Sequence, residues 1–458
     1  MSWQKVRIGD FLKRRKDAIE IKNSVEYNRI TIKTKHQGVF LRNSVKGSLI
    51  GTKLQFTVKA GQFLLSKIDA RLGAFGILPD ELNGAIITGN FWAFDVDNTK
   101  VNIDWFNLFT SSGNFYEICN QASSGTTHRK YLDETKFLNF AIDLPDINEQ
   151  NRFINKYESY YRSYKKIEAE IENQQSHLQQ LRQAILQEAV QGKLTKQNKG
   201  DEPADKLLQR IKTEKQKLIA AGKLKKEKEL PSITEDEIPF KLPKGWVWCR
   251  LAEVCDLITD GTHLTPKYVD KGRIFLSAQN VKPFRFIPDI HRFVSEEDYQ
   301  GYIKSRKAEK GDVLLTRVGA GIGEAAVIDI DIDFAFYVSL GLLKPNKSCI
   351  YPKYLELFLN SPLGRGHSSS NTLGKGVSAG NLNLSLIRNF EFPFPPYKEQ
   401  HHIVAKVEKL MQMVNKLEKQ VEQSQAQAQK LLQAVLKEAF SNSRKEYEMN
   451  DVVTMAAE

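Results

Sequence analysis

EQNRFINKYESYYRSYKKIEAEIENQQSHLQQLRQAILQEAV, residues 149–190, returns at residues 399–440 as EQHHIVAKVEKLMQMVNKLEKQVEQSQAQAQKLLQAVLKEAF. The offset is 250 residues and holds without a gap over 42 positions, 15 of them identical. Glu149/Glu399, Gln150/Gln400, Lys156/Lys406, Leu181/Leu431 and Glu188/Glu438 are among the identities. Self-similarity on this scale marks a structural unit used twice. In each copy apolar residues recur in alternating steps of four and three. The first copy reads Phe153, Tyr157, Tyr160, Tyr164, Ile167, Ile171, then Leu178, Leu181 and Ile185. The second reads Ile403, Val407, Leu410, Val414, Leu417, Val421, then Ala428, Leu431 and Val435. That spacing is a heptad seam. Gln174 and Ser424 interrupt it at equivalent points, and Pro145 and Pro395-Pro396 mark the helix starts. Each helix would be a rod of roughly 60 Å. Two such helices in one chain are expected to pair with one another, antiparallel if the halves are related by a pseudo-two-fold axis. The Tyr157-Tyr160-Tyr161-Tyr164 cluster adds apolar area beside the seam and suits a further helical partner.

The repeat extends upstream. Gly61, Leu64 and Leu65 match Gly311, Leu314 and Leu315; Gly73 matches Gly323, Ser111 matches Ser361, and Asn139-Phe140 matches Asn389-Phe390. Near the start of each copy the offset is 243, aligning Trp3 with Trp246 and Arg7 with Arg250, so the second copy carries about seven extra residues between Val254 and Lys310. The order is globular domain, long helix, linker, globular domain, long helix. The expected boundaries are 1–146, 147–192, 193–243, 244–394, 395–441, and a tail at 442–458 expected to be disordered. The Lys-rich linker has the composition of a tether, with a short amphipathic helix near Ala204 to Ala221. Lys223, Lys225, Lys226 and Lys228 read as a solvated charge run, with phosphate binding the alternative. The fold class is α+β.

Composition narrows the function. Of 458 residues 41% are hydrophobic, mean hydropathy is −0.43, and 67 basic against 55 acidic residues give a net charge of +12 and a pI near 9.2. An excess of this size is compatible with a polyanionic partner. No apolar run reaches the ~18 residues of a membrane helix, and the first residues, MSWQKVRIGD, are charged where a signal peptide needs an apolar core. Cys119, Cys249, Cys255 and Cys349 form no CxxC pair and suit a reducing cytoplasm.

Motifs that would announce an enzyme fail on inspection. FPFPPYKEQ, from Phe392, has Phe394 where an adenine methyltransferase needs a hydrogen-bonding side chain. RVGAGIGEAAVI, from Arg317, places Glu324 where a dinucleotide loop has its third glycine, and its repeat copy KIDARLGAFGIL shares only Gly73 of the trio. LGKGV, from Leu373, lacks the first glycine and the Ser/Thr of a phosphate loop. His401 and His402 diverge by about 100° on a helix, which is poor metal geometry.

QEAVQGKL after a heptad helix, then DEPADKLLQRI, then LPKGWVWCRL resembles the specificity subunits of type I restriction-modification enzymes. So do the paired GDVLLTR (Gly311 to Arg317) and Gly61 to Lys67, and the helix-opening LPDINEQ and FPPYKEQ. The likeness runs from Trp3 to about Phe440. It implies two target recognition domains, each reading one half of a bipartite, asymmetric DNA site, and helices that set the unread gap and dock two methyltransferase subunits. It also implies that this chain binds no cofactor. S-adenosylmethionine, ATP and Mg would be used by the methyltransferase and motor/endonuclease subunits of a cytoplasmic complex. The competing readings are an enzyme in its own right, the specificity part of another methyltransferase or nuclease system, and a coiled-coil scaffold without DNA specificity.

Each domain carries a polar, glycine-bearing loop before its last strand, SSGTTHRKYL (Ser123 to Leu132) and SNTLGKGVSAGNLNL (Ser370 to Leu384). Such loops offer donors to phosphates and base edges. The expected DNA contacts are Thr126, Thr127, His128, Arg129 and Lys130 in the first, and Lys375, Ser378 and Asn381 in the second. Lys67 and its counterpart Arg317, just after a strand, come next, with Arg71 nearby. The two loops differ, as they must if the half-sites differ.

Overall fold

The structure is a computed structural model that describes residues 3–126, 129–222, 230–370, 372–373 and 380–440. The chain divides into two compact units, residues 1–171 with 423–458, and residues 172–422. The long helices run Ile147–Val190 and Tyr397–Phe440, each of 44 residues and offset by the same 250 as the sequences.

In the first unit a four-stranded antiparallel sheet has the order Leu12–Arg15, Phe91–Val96, Phe63–Ser66, Phe75–Ile77. The strand FLLS is buried along its whole length because both faces of its sheet are covered. Phe63 and Leu65 join Phe94, Phe106, Phe115 and Phe137 on one side. Leu64 and Ala93 join Ile30, Val39 and Val58 on the other. The first side is closed by helices Ile103–Thr110, Gly113–Gln121 and Glu134–Asn139; the second belongs to a five-stranded sheet. The second unit repeats the four-stranded sheet as Cys255–Asp260, Leu340–Pro345, Val313–Thr316, Ala325–Val327. Gly73 and Gly323 have the same φ of +83°, and a Cβ at Gly73 would sit 2.2 Å from the Tyr116 hydroxyl. Only glycine meets both demands.

The Glu-Gln pair that opens each repeat is the joint between domain and helix. Gln150 Oε1 accepts Asn102 N at 2.7 Å, while its amide donates to Pro145 O (2.8 Å) and Lys100 O (3.1 Å). Gln400 does the same with Tyr351 N (2.7 Å), Pro395 O (3.1 Å) and Cys349 O (2.9 Å). Glu149 accepts Trp3 Nε1 at 3.1 Å and Glu399 accepts Trp246 Nε1 at 2.9 Å. Buried amides that fill all their bonds fix the entry angle of a helix.

Within each unit the two helix segments run antiparallel. In the second unit Arg182 forms a two-pronged bond to Glu418, 2.9 and 2.6 Å, and reaches Asn415. In the first unit the Tyr164 hydroxyl, bonded to Glu168, lies beside Gln429 of the other helix. One column of the expected seam is inside: Ile171, Leu178, Ile185, Val407, Val414 and Val421 are buried. Tyr157, Tyr160, Tyr164, Leu410 and Val435 are half-buried. The other column is not: Ile167, Leu181, Leu417 and Leu431 are 43–49% exposed. A single facing helix covers a narrow stripe. The stripe here takes in the buried column and Glu168, Arg182 and Glu418 beside it, so the second column is left at its edge.

The linker departs from the tether its composition suggests. Helix Ala204–Ala220 buries Ala204, Leu207 and Ile211 completely. Lys215 Nζ donates to the carbonyls of Ala252 (2.8 Å), Glu253 (3.1 Å) and Cys255 (2.6 Å). Spacing of three and four turned one apolar stripe toward the second domain, and the lysines share the remaining surface. Lys223, Lys225, Lys226 and Lys228 lie outside the described residues, as does the tail from 441. No helix among the described residues is long and apolar enough to cross a membrane.

Candidate nucleic-acid interface

Each polar loop begins and ends as a hairpin standing on the strand that precedes it in the sheet. In the first domain Ser123–Thr126 pairs with Arg129–Leu132, with Gly125 opposite Lys130 and Thr126 opposite Arg129. In the second, Thr372–Leu373 pairs with Asn381–Leu382. Thr127, His128, Lys375 and Ser378 lie outside the described residues.

One joint holds both hairpins. Leu132 N donates to Lys67 O at 2.7 Å, and Leu382 N donates to Arg317 O at 2.9 Å. The two donors are 250 residues apart and so are the two acceptors, so the same backbone bond has been kept in both copies. Lys67 and Arg317, picked from sequence for their place after a strand, are thus the feet of the two candidate recognition hairpins. Asn381 adds a bridge to Val318.

The two feet differ in their side chains. Lys67 Nζ lies 5.7 Å from the centroid of the Tyr131 ring, which is exposed on the hairpin. Arg71 follows in the turn Ala70–Leu72, its Nε buried without a hydrogen-bond partner. The Arg317 guanidinium, in contrast, is 6% exposed: Nη1 pairs with Asp260 Oδ2 at 2.5 Å and Nε donates to Leu382 O at 2.8 Å. Arg317 therefore acts here as an internal strut, not as a free cation. Asp260, 57 residues earlier, is a partner that no local pattern announces. Following the ladder one step beyond the Arg15–Ala93 pair, the first domain has Lys16 at that place, so the position that supplies Arg317 with an acid supplies Lys67 with none.

Among the described residues no group of three or more His, Cys, Asp or Glu is placed to hold a metal. All four cysteines are buried and free; burial pushes Cys119 up to about 12 and Cys249 well above the usual thiol range, away from thiolate reactivity.

Two mixed, mainly β domains of one ancestry, each presenting a hairpin of unlike sequence and each carried on an antiparallel pair of long helices, define a duplicated recognition scaffold. The chain belongs to the family of the type I restriction modification DNA specificity domain, whose profile matches residues 1–175 and 243–424. It is 30% identical over 246 residues to the type I restriction enzyme EcoAI specificity subunit of Escherichia coli, covering 52% of this chain and 40% of that one. With the Escherichia coli EcoBI specificity subunit it shares 26% over 320 residues, 70% of this chain and 61% of the relative. The chain thus spans about two-fifths of the EcoAI subunit's length. Among solved structures, a chain from a study of complex assembly and conformational transition of the type I R-M system superposes with a TM-score of 0.60 at 18% identity. That match covers 96% of this chain and 98% of the other. The HsdS subunit of Thermoanaerobacter tengcongensis gives 0.50 at 19%, covering 96% and 97%. These two likenesses concern the fold.

Proposed function

We propose that this chain is the sequence-reading subunit of a type I restriction-modification complex, without catalysis of its own, and that each domain reads one half of a bipartite DNA site. The duplicated joint carries the reading: the same bond seats a hairpin on Lys67 and on Arg317, while the hairpin sequences diverge. Two like frames with unlike contact loops are what two unlike half-sites require. Thr126, Thr127, His128, Arg129 and Lys130 serve one half-site, with Lys67 and Arg71 behind them. Lys375, Ser378 and Asn381 serve the other.

The helices act as spacer and as docking face. The exposed column of Ile167, Leu181, Leu417 and Leu431 is apolar surface that a further helix from each of two methyltransferase subunits would cover. Those subunits would bring S-adenosylmethionine, and motor/endonuclease subunits would bring ATP and Mg to the assembled cytoplasmic complex. Methylome sequencing of cells producing the chain with such subunits tests the proposal. A bipartite methylated sequence is expected. Deleting one heptad from each long helix removes about 10 Å and should shorten the unread gap by about three base pairs. An unchanged gap would show that the helices do not set the spacing.

A further inference from the structure

The second domain has a feature at the foot of its hairpin that the first lacks. After Asp260 the chain leaves the sheet through Gly261, whose backbone is so enclosed that a Cβ would sit 2.2 Å from Phe336 O. Thr262 N donates to Phe336 O and Val338 N donates to Thr262 O, both at 3.0 Å. Arg306 Nη1 clamps the carbonyls of Asp260 (3.1 Å) and Gly261 (2.6 Å), and Leu264 N donates to Thr262 Oγ1 at 3.2 Å. Every bond holds the backbone of a short loop in one shape.

The side chains at the tip of this rigid loop point the other way. The His263 side chain is 70% exposed and Leu264 is 69% exposed. His263 Nε2 lies 3.1 Å from Asp260 Oδ2, the same oxygen that takes Arg317 Nη1. One nitrogen of the imidazole is thereby committed, and Nδ1 has no partner among the described residues. Arg317 also offsets the charge of Asp260 at the loop's base, a charge that would repel phosphate. Because the same guanidinium donates to Leu382 O, it locks the loop to the return strand of the hairpin.

We infer that the loop Asp260–Thr265 is a second DNA-contacting element of this domain, in which His263 and Leu264 read the same half-site as the neighbouring hairpin. The inference rests on the function proposed above and adds residues to it. A protruding leucine offers apolar contact to a thymine methyl, and an oriented imidazole offers one hydrogen bond to a base edge or phosphate. Preorganised backbone spares the binding step the entropy of ordering a loop. In the first domain the chain runs straight on into the strand Ala18–Glu20, paired with Leu54–Thr57, so the element serves one half-site only.

The test uses the full chain co-produced with its methyltransferase subunits, selected against random duplexes and read by methylome sequencing. Leu264→Ser and the double change His263→Ala with Leu264→Ser should bind the selected duplex about tenfold or more weakly. They should relax base preference in one half-site and leave the other intact. Ile330→Ala, at an exposed apolar position elsewhere in the domain, should match wild type. Equal melting temperatures separate lost contact from lost fold. Double-variant protein that keeps wild-type affinity and the wild-type half-site overturns the inference. If the wild type itself selects no bipartite sequence, the failure lies instead with the proposed function.

Discussion

Arg7 and Arg250 occupy the same position in the two copies and lead different lives. In both, the backbone amide is capped by an acid three residues on, Asp10 in one domain and Glu253 in the other. There the likeness stops. The Arg7 side chain is 63% exposed and pairs with Asp10 alone among the described residues, at 3.3 Å. That of Arg250 is 4% exposed and holds Glu391, both oxygens of Glu237 (2.8 and 2.9 Å), and the carbonyls of Pro231, Ser232 and Asn389. Glu149 and Glu399 differ in the same way. The first accepts its tryptophan alone among the described residues; the second also accepts Thr195 Oγ1 (3.1 Å) and Gln197 Nε2 (3.2 Å) from the linker. Duplication set the frame, and the linker, present once, converted surface positions of the second copy into core ones.

The largest effect should come from breaking that conversion at its centre. Arg250→Ala empties a buried guanidinium site, leaves the partly buried Glu391 with His367 alone of its two ion-pair partners and frees the chain at 231–237, which should destabilise the second domain by about 3–5 kcal/mol. Arg7→Ala, at the equivalent place, should change stability by no more than about 1 kcal/mol. Urea denaturation of both full-length variants compares them, and near-equal losses would mean that the linker clasp carries no stability.

Next in size is the apolar side of the same contact. Ile211→Ala removes a fully buried side chain from the linker helix and should cost about 2–4 kcal/mol. The neighbouring Gln209→Ala, on the exposed face, should cost almost nothing. Were Ile211→Ala as mild as Gln209→Ala, the helix would be no more than the tether its composition suggests.

These residues also show what the sequence discloses and what it withholds. The 250-residue offset and the heptads disclose two domains and two paired helices, because periodicity and repetition are local properties of the string. The width of the helix contact is not local. Ile171 and Ile167 look alike in the pattern, yet one is buried and the other 46% exposed, because that depends on how many partners surround the helix. Of the candidate site, the sequence disclosed the two polar loops and the residues Lys67 and Arg317, and the joint between them came from the fold. That Lys67 stays beside Tyr131 while Arg317 turns inward depended on Asp260, a residue distant in sequence. His263 and Leu264 were hidden for the same reason, since rigidity and exposure emerge only when Gly261 meets Phe336 and Arg306 closes over the turn.

The smallest predicted difference concerns pH, and it separates charge from packing in the clasp. The Thr234 backbone amide, then the Arg250 guanidinium, hold the Glu237 carboxyl down at about 2, against an ordinary value of 4.5. A carboxylate depressed in the folded state contributes stability that is complete above its unfolded pKa and fades as pH falls through the folded one. Glu237→Gln should therefore lower the melting temperature by a constant amount above pH 4.5, with the difference from wild type shrinking toward zero as pH approaches about 2. At Arg7, Asp10→Asn breaks a single exposed pair at little cost. A Glu237→Gln deficit that stays constant down to pH 2 would place the clasp's strength in the shape of the 231–237 segment, with the ion pair to Arg250 contributing nothing.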